Sequence, residues 1–191
     1  GQVYSFGEGR NGRLGHGDSR TCCIPTMIKS LSPSHVIATT ICAAWAHSML
    51  VDERGAVFTW GHGGSGRLGH GNTLDAWRPR RVDALHSAGM HVVRVSSAFE
   101  HSGVCCTDGS VWLWGLGEHG QLGLGNTETR ALPHILESFV TAQVKVVEIA
   151  CGGAHSAAVS AGGLLFTWGR GDWGQLGHAN RAGRLFGKVV R

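Results

Sequence analysis

The sequence predicts an all-β fold, a β-propeller of four-stranded antiparallel blades, on three observations. Glycine makes up 31 of the 191 residues and proline only four, an excess of glycine without the every-third-residue spacing of collagen. One phrase recurs four times at a fixed interval, starting at Gly1, Gly55, Gly109 and Gly163, 54 residues apart. Between the glycines stand short β-branched and aromatic runs bounded by turn residues, the pattern of strands. Turns that need positive φ account for so much glycine among hydrophobic residues.

Each unit opens on a strand: Val3 to Phe6, Val57 to Trp60, Val111 to Trp114, and the matching run from Leu164 to Trp168. A glycine-rich stretch follows, in which Leu14, Leu68, Leu122 and Leu176 are placed to plug the core. A weaker strand is expected after the recurrent Pro25, Pro79 and Pro133, at Thr26 to Lys29, Arg80 to Val82 and His134 to Leu136. A longer apolar strand comes next, over Val36 to Ala43, Val92 to Ser97 and Val144 to Ala150. Another follows His47-Ser48, His101-Ser102 and His155-Ser156, again 54 apart. Turns then lead into the next phrase. Asp108-Gly109 is a strong hairpin signal, because both central turn positions favour positive φ. Four short antiparallel strands per unit make one blade. The units are 1–54, 55–108, 109–162 and an incomplete 163–191, read as one repeat domain over 1–191.

Composition excludes several classes. Lys and Arg number 17 against 13 Asp and Glu, a net +4 too small by itself to mark a nucleic-acid binder. No apolar run approaches the roughly 18 residues of a bilayer span, so no membrane partner is expected. Six cysteines, Cys22, Cys23, Cys42, Cys105, Cys106 and Cys151, include no C-x-x-C spacing. They read as reduced, packed thiols of an intracellular protein.

The stretch aromatic-x-Trp-Gly-x-Gly-x-x-Gly-Gln/Arg-Leu-Gly, with Ile149-Ala150-Cys151-Gly152-Gly153-Ala154-His155-Ser156, resembles the regulator of chromosome condensation repeat. Ala44 and Ala98 depart from it where the pattern has glycine. The resemblance implies a closed seven-bladed propeller, of which this chain is about half. It implies first a non-enzymatic protein–protein interaction scaffold binding through blade-edge loops, with a small GTPase or a ubiquitin-pathway protein as partner. The alternative it implies is a guanine-nucleotide exchange factor for a Ran-like small GTPase, with chromatin association. Exchange in this family uses a wedge hairpin and a basic tail, and the strict interval leaves no room for a wedge between Gly1 and Gly163. The compartment implied is cytoplasm or nucleus. A plant ultraviolet-B photoreceptor of the family uses Gly-Trp-Arg-His-Thr stretches. The matching stretches here, at 44–48, 98–102 and 152–156, keep one tryptophan and no arginine, so light sensing is not expected.

Four G-x-G-x-x-G stretches do not read as cofactor loops, since Leu-Gly follows each one and starts no helix. Six of the twelve histidines fall in two repeat registers, one holding His47, His101 and His155 and the other His16, His70 and His178. Equivalent registers lie around a ring instead of converging on a metal, so each is expected to hydrogen-bond the backbone of the next turn. No catalytic constellation stands apart from the repeat, and no enzyme, metal or cofactor is expected. Outside the framework remain Trp45, Trp77 and Trp173, candidate anchors for a protein partner or packing residues against the next blade. Arg78, Arg80, Arg81 and Arg130 join them as a candidate basic rim for an acidic protein face or phosphates. Open blade edges are expected to favour self-association.

Overall fold

The computed structural model describes residues 2–31 and 36–190; Gly1, which opens the first phrase, lies outside the described residues. Among the described residues, fourteen strands form one two-stranded and three four-stranded antiparallel sheets. The two-stranded sheet pairs β1 (Tyr4–Gly7) with β2 (Cys22–Met27). The first complete blade holds β3 (Ala38–Ala43), β4 (His47–Asp52), β5 (Val57–Gly61) and β6 (Ala76–Arg81) in that order. The second runs β7 (Val92–Ser97), β8 (His101–Cys106), β9 (Val111–Gly115) and β10 (Arg130–Ile135). The third runs β11 (Val146–Cys151), β12 (His155–Ser160), β13 (Leu165–Gly169) and β14 (Arg184–Val189).

Sheet and sequence unit are out of phase by half. Each blade takes its first two strands from one 54-residue unit and its last two from the next. The strands β13 and β14 of the last, incomplete unit therefore complete the third blade, and the two-stranded sheet precedes the first complete blade in the chain.

The proline-bearing strand differs from its expectation. It begins before the proline and contains it: Pro25 in β2, Pro79 in β6 and Pro133 in β10. Proline cannot donate to a ladder, and these are the outermost strands of their sheets, where one side is free. The pairing register breaks there, between Arg130 and His134 for β10. The fourth copy, β14, carries Gly187 at that place. Two short helices, α1 (Asp83–Ser87) and α2 (Glu137–Thr141), go beyond the all-strand pattern and link the second and third blades to the blade before.

The core lies between blades. Met49, Val51 and Val57 of the first complete blade pack with Val104, Cys106 and Trp114 of the second. Leu113 and Leu122 pack with Ile149, Phe166 and Trp168 of the third. Trp60, Trp114 and Trp168 share one register, and Trp114 and Trp168 donate their indole N–H to the carbonyls of Arg67 (2.8 Å) and Gln121 (2.9 Å) in the preceding blade's loop. The four leucines of the glycine-rich stretch are all buried. Gly61, with φ 107°, lets that stretch turn away close against the start of β4, and a Cβ there would meet the Ala46 carbonyl oxygen at 2.6 Å.

Candidate interaction face

Strand order decides which loops share a face. In a four-stranded antiparallel blade, the turn between strands one and two and the loop between strands three and four emerge at the same end. That end therefore carries the turns at 44–46, 98–100 and 152–154, with the loops at 62–75, 116–129 and 170–183. Trp45 and Phe99 sit at one repeat register on the first two of these turns, and Gly153 holds it on the third.

The aromatic turns are pinned from both sides. The Trp45 N–H donates to the Ala98 carbonyl at 3.3 Å, tying neighbouring turns together. Arg13 donates to the Trp45 carbonyl at 3.0 Å and pairs with Glu8. Arg67, wholly buried, repeats the contact one blade on: it donates to the Gly64 and Phe99 carbonyls at 2.7 and 2.6 Å and to the Glu100 carboxylate at 2.7 Å. A buried guanidinium needs such a full set of acceptors. The backbone is thus fixed while the rings stay in solvent, Trp45 63% and Phe99 53% exposed. The rings meet edge to face, centroids 6.0 Å apart at 88°. With Glu100, Leu116, His119 and Gly153 they line a recess of about 500 Å³.

The candidate residues fall into two separate groups. Trp45 and Trp173 belong to the loop face, two blades apart; Trp173 is 82% exposed, at the register of His119. Trp77, Arg78, Arg80 and Arg81 lie on the outer strand β6, and Arg130 on β10. Trp77 packs over Gly12 of the preceding loop and accepts a hydrogen bond from the Gly17 N–H at 2.8 Å, with its ring half exposed. Arg78 lies across Gly17, Arg81 pairs with Asp83 at 2.9 Å, and Arg130 pairs with Glu128. Arg80 is exposed. The outer-strand arginines and the aromatic turns do not form one site.

Sequence reasoning missed Phe99, Arg13 and Arg67. Phe99 follows Trp45 by 54 residues, a signal that was available; the arginines are one letter in a recurrent stretch until the neighbouring turn is placed beside them.

The two histidine registers are structural, and their partners differ from expectation. His47 and His101 bond the serine hydroxyls of the next blade, Ser102 and Ser156, each at 2.9 Å, instead of a backbone group. Those serines donate onward to the carbonyls of Arg67 and Gln121. Burial holds the imidazoles neutral, lowering His47 to about 3 and His101 to about 4. His70 and His178 bond Thr59 and Thr167 at 3.0 Å, and His16 bonds Ser5 at 3.1 Å. Burial lowers His70 to about 4. All six cysteines are free thiols; burial raises Cys105 to about 11 and Cys106 and Cys151 to about 12, leaving no activated nucleophile among those three. No group of three or more His, Cys, Asp or Glu among the described residues is placed to hold a metal ion. No helix among them is long and apolar enough to cross a membrane.

Four-stranded antiparallel sheets packed against one another at a constant repeat define a tandem-repeat β-propeller. The chain belongs to the regulator of chromosome condensation (RCC1) repeat family, whose model matches residues 1–51, 54–105 and 108–159, with a second model of the same repeat matching 146–175. Human E3 ubiquitin-protein ligase HERC2 is 37% identical over 182 residues, covering 94% of this chain and 4% of that protein. Ultraviolet-B receptor UVR8 of Arabidopsis thaliana is 38% identical over 184 residues, covering 96% of this chain and 40% of that protein. Saccharomyces cerevisiae Prp20p, whose structure was described with its binding properties to Gsp1p and histones, superposes with a TM-score of 0.82 at 17% identity, over 100% of this chain and 46% of that one. That likeness concerns the fold. The chain thus spans less than half of each of these relatives, as a partial propeller.

Proposed function

We propose that this chain is a non-catalytic protein-interaction module whose partner docks on the loop face carrying Trp45, Phe99 and Trp173. One observation carries the reading: large aromatic rings stand in solvent on backbone turns that Arg13 and Arg67 hold rigid. Exposed aromatic side chains on a fixed frame are the typical anchors of protein interfaces, because little entropy is lost when they are covered. The likeness to HERC2 favours a ubiquitin-pathway protein as partner, in the cytoplasm or nucleus. Buried neutral histidines that serve the blade seams, with buried thiols beside them, support a scaffold over an enzyme.

A photo-crosslinking amino acid at position 45, 99 or 173 should capture a discrete protein in cell extract, and one at Glu53, in the turn at the opposite end of the first complete blade, should not. Equal capture from both ends overturns the reading. The alternative, exchange on a Ran-like GTPase, rests on the fold shared with Prp20p. Stimulated nucleotide release from a panel of small GTPases would establish it in place of the scaffold.

A further inference from the structure

We infer that the corner between Trp45 and Phe99 is a receptor for a cationic side chain, a lysine or N-methylated lysine presented by a protein partner. The inference rests on the interaction face proposed above and specifies its chemistry.

Three features converge on a cation. The two rings stand at 88°, edge to face, so the face of the ring that offers its edge and the uncovered part of the other ring's face form two walls of a corner. A ring carries negative charge on its face, and a cation between two such faces is attracted to both. Gly153 leaves the corner open: a Cβ at that position would lie 3.1 Å from the Phe99 ring, a tight contact that the ring would have to ease by shifting. Carboxylates supply the third feature. Glu100 lines the recess. Its charge is met by Arg67, whose guanidinium is buried beneath the turn and donates downward to the Gly64 and Phe99 carbonyls as well. Glu118, next to the recess residue His119, is exposed and has no ion pair among the described residues. The local balance therefore favours an incoming positive charge. The walls are also preorganised, since the hydrogen bonds at Trp45 and Phe99 hold their backbone before any ligand arrives.

The choice among occupants follows from the same features. An aliphatic side chain would use the apolar surface and gain nothing from Glu118. An acidic segment would meet Glu118 and the negative ring faces. A lysine stem suits the aromatic walls and its head suits the charge, and methylation lowers the hydration lost on entry.

The test uses the whole chain and three probes: N-acetyl-lysine amide, its trimethylated form, and the neutral isostere N-acetyl-norleucine amide. The Trp45 indole N–H is followed by ¹⁵N–¹H correlation spectroscopy, assigned by Trp45→Phe. Both cationic probes should shift it saturably while the Trp173 signal stays still, and norleucine should bind about fivefold or more weaker. Phe99→Leu keeps an apolar residue and should weaken the cations about fivefold without changing norleucine. Glu118→Gln, an exposed substitution, should weaken them less, and the loss should vanish in high salt. Equal shifts from norleucine, or cation binding unchanged in Phe99→Leu, overturn the inference. Protein crosslinking from position 173 that is insensitive to Phe99→Leu leaves the interaction face standing and removes the cation receptor. Lysine binding without any crosslinked protein does the reverse.

Discussion

Nε2 of His47 lies 2.9 Å from Oγ of Ser102, across the seam between the first and second complete blades. The serine hydroxyl has one proton, and it goes to the Arg67 carbonyl 2.9 Å away. His47 must therefore donate from Nε2, which fixes its tautomer and leaves Nδ1 bare and buried. The same relay repeats between His101, Ser156 and the Gln121 carbonyl. Each relay ties one blade's second strand to both the strand and the loop of its neighbours, so the seam is polar at one end and apolar at the other.

Ser102→Ala should cost about 2 kcal/mol of stability, because the buried His47 N–H loses its partner, while the Arg67 carbonyl keeps the Trp114 indole N–H. The midpoint of urea unfolding would report it. Ser48→Ala is the control: Ser48 is half-buried and donates to the Arg13 carbonyl alone at 3.0 Å, so its loss should be the smaller. Equal losses would mean that His47 takes nothing from the serine.

Acid should loosen the seams before it disturbs the surface. His47, His101 and His70 are held below the ordinary 6.5, at about 3, 4 and 4, chiefly by burial. The unfolded chain takes up these protons as pH falls through about 6.5, while the folded chain resists until near 4. Stability rises with pH wherever the unfolded state binds more protons. It should accordingly be full above pH 6.5 and drain away between 6.5 and 4, with a slope of up to about three protons. Thermal unfolding across that range measures the slope. Salt should change it little, since desolvation is the first cause at all three sites.

The other histidine register predicts a compensating pair. Thr59 donates to the Leu68 carbonyl at 2.7 Å and bonds His70 at 3.0 Å. In the next unit both positions are leucine, Leu113 wholly buried and Leu124 packed against the same core. Replacing both members of a buried polar pair by apolar groups is far milder than replacing one. Thr59→Leu alone should therefore cost about 2 kcal/mol, and Thr59→Leu with His70→Leu should recover most of it. The double variant should also remove one proton from the acid slope. A double variant as unstable as the single one would show that the two units are not interchangeable here.

Much of this was legible in the sequence because a repeat shows every register several times. The buried leucines at 14, 68, 122 and 176 and the tryptophans at 60, 114 and 168 could be placed from spacing alone. The outer strand was placed only from the proline onward, because Pro79 and Pro133 read locally as breaks; an edge position with an unpaired side lets the strand begin ahead of them and run through them. Nor could the aromatic corner. Trp45 was visible as a residue outside the framework, but its relation to Phe99 exists across a blade seam, and Arg67 shows its purpose only where the next turn's carbonyl comes within 2.6 Å.

The break in the proline register supplies the last prediction. Leu31, Leu85 and Phe139 share one register ahead of the outer strand, and Pro79, Pro133 and Gly187 share another on it. The segment holding Leu31 packs on β6, α1 on β10, and α2 on β14. Where the buried residue is leucine the strand carries proline; where it is phenylalanine the strand carries glycine. The reason is space. A Cβ on Gly187 would stand 2.6 and 2.7 Å from the Phe139 ring, closer than unbonded carbons approach. The ring itself is seated against Phe166, centroids 4.9 Å apart, and against Trp168 at 5.8 Å, so it cannot swing away. Gly187→Pro should thus destabilise the third blade by about 2 kcal/mol through overpacking. Phe139→Leu should cost a similar amount by leaving a cavity. Together they restore the leucine–proline pairing of the other two blades, and the double variant should be more stable than either single one. Thermal midpoints of the four proteins complete the cycle, and strict additivity of the two losses would separate Phe139 from Gly187.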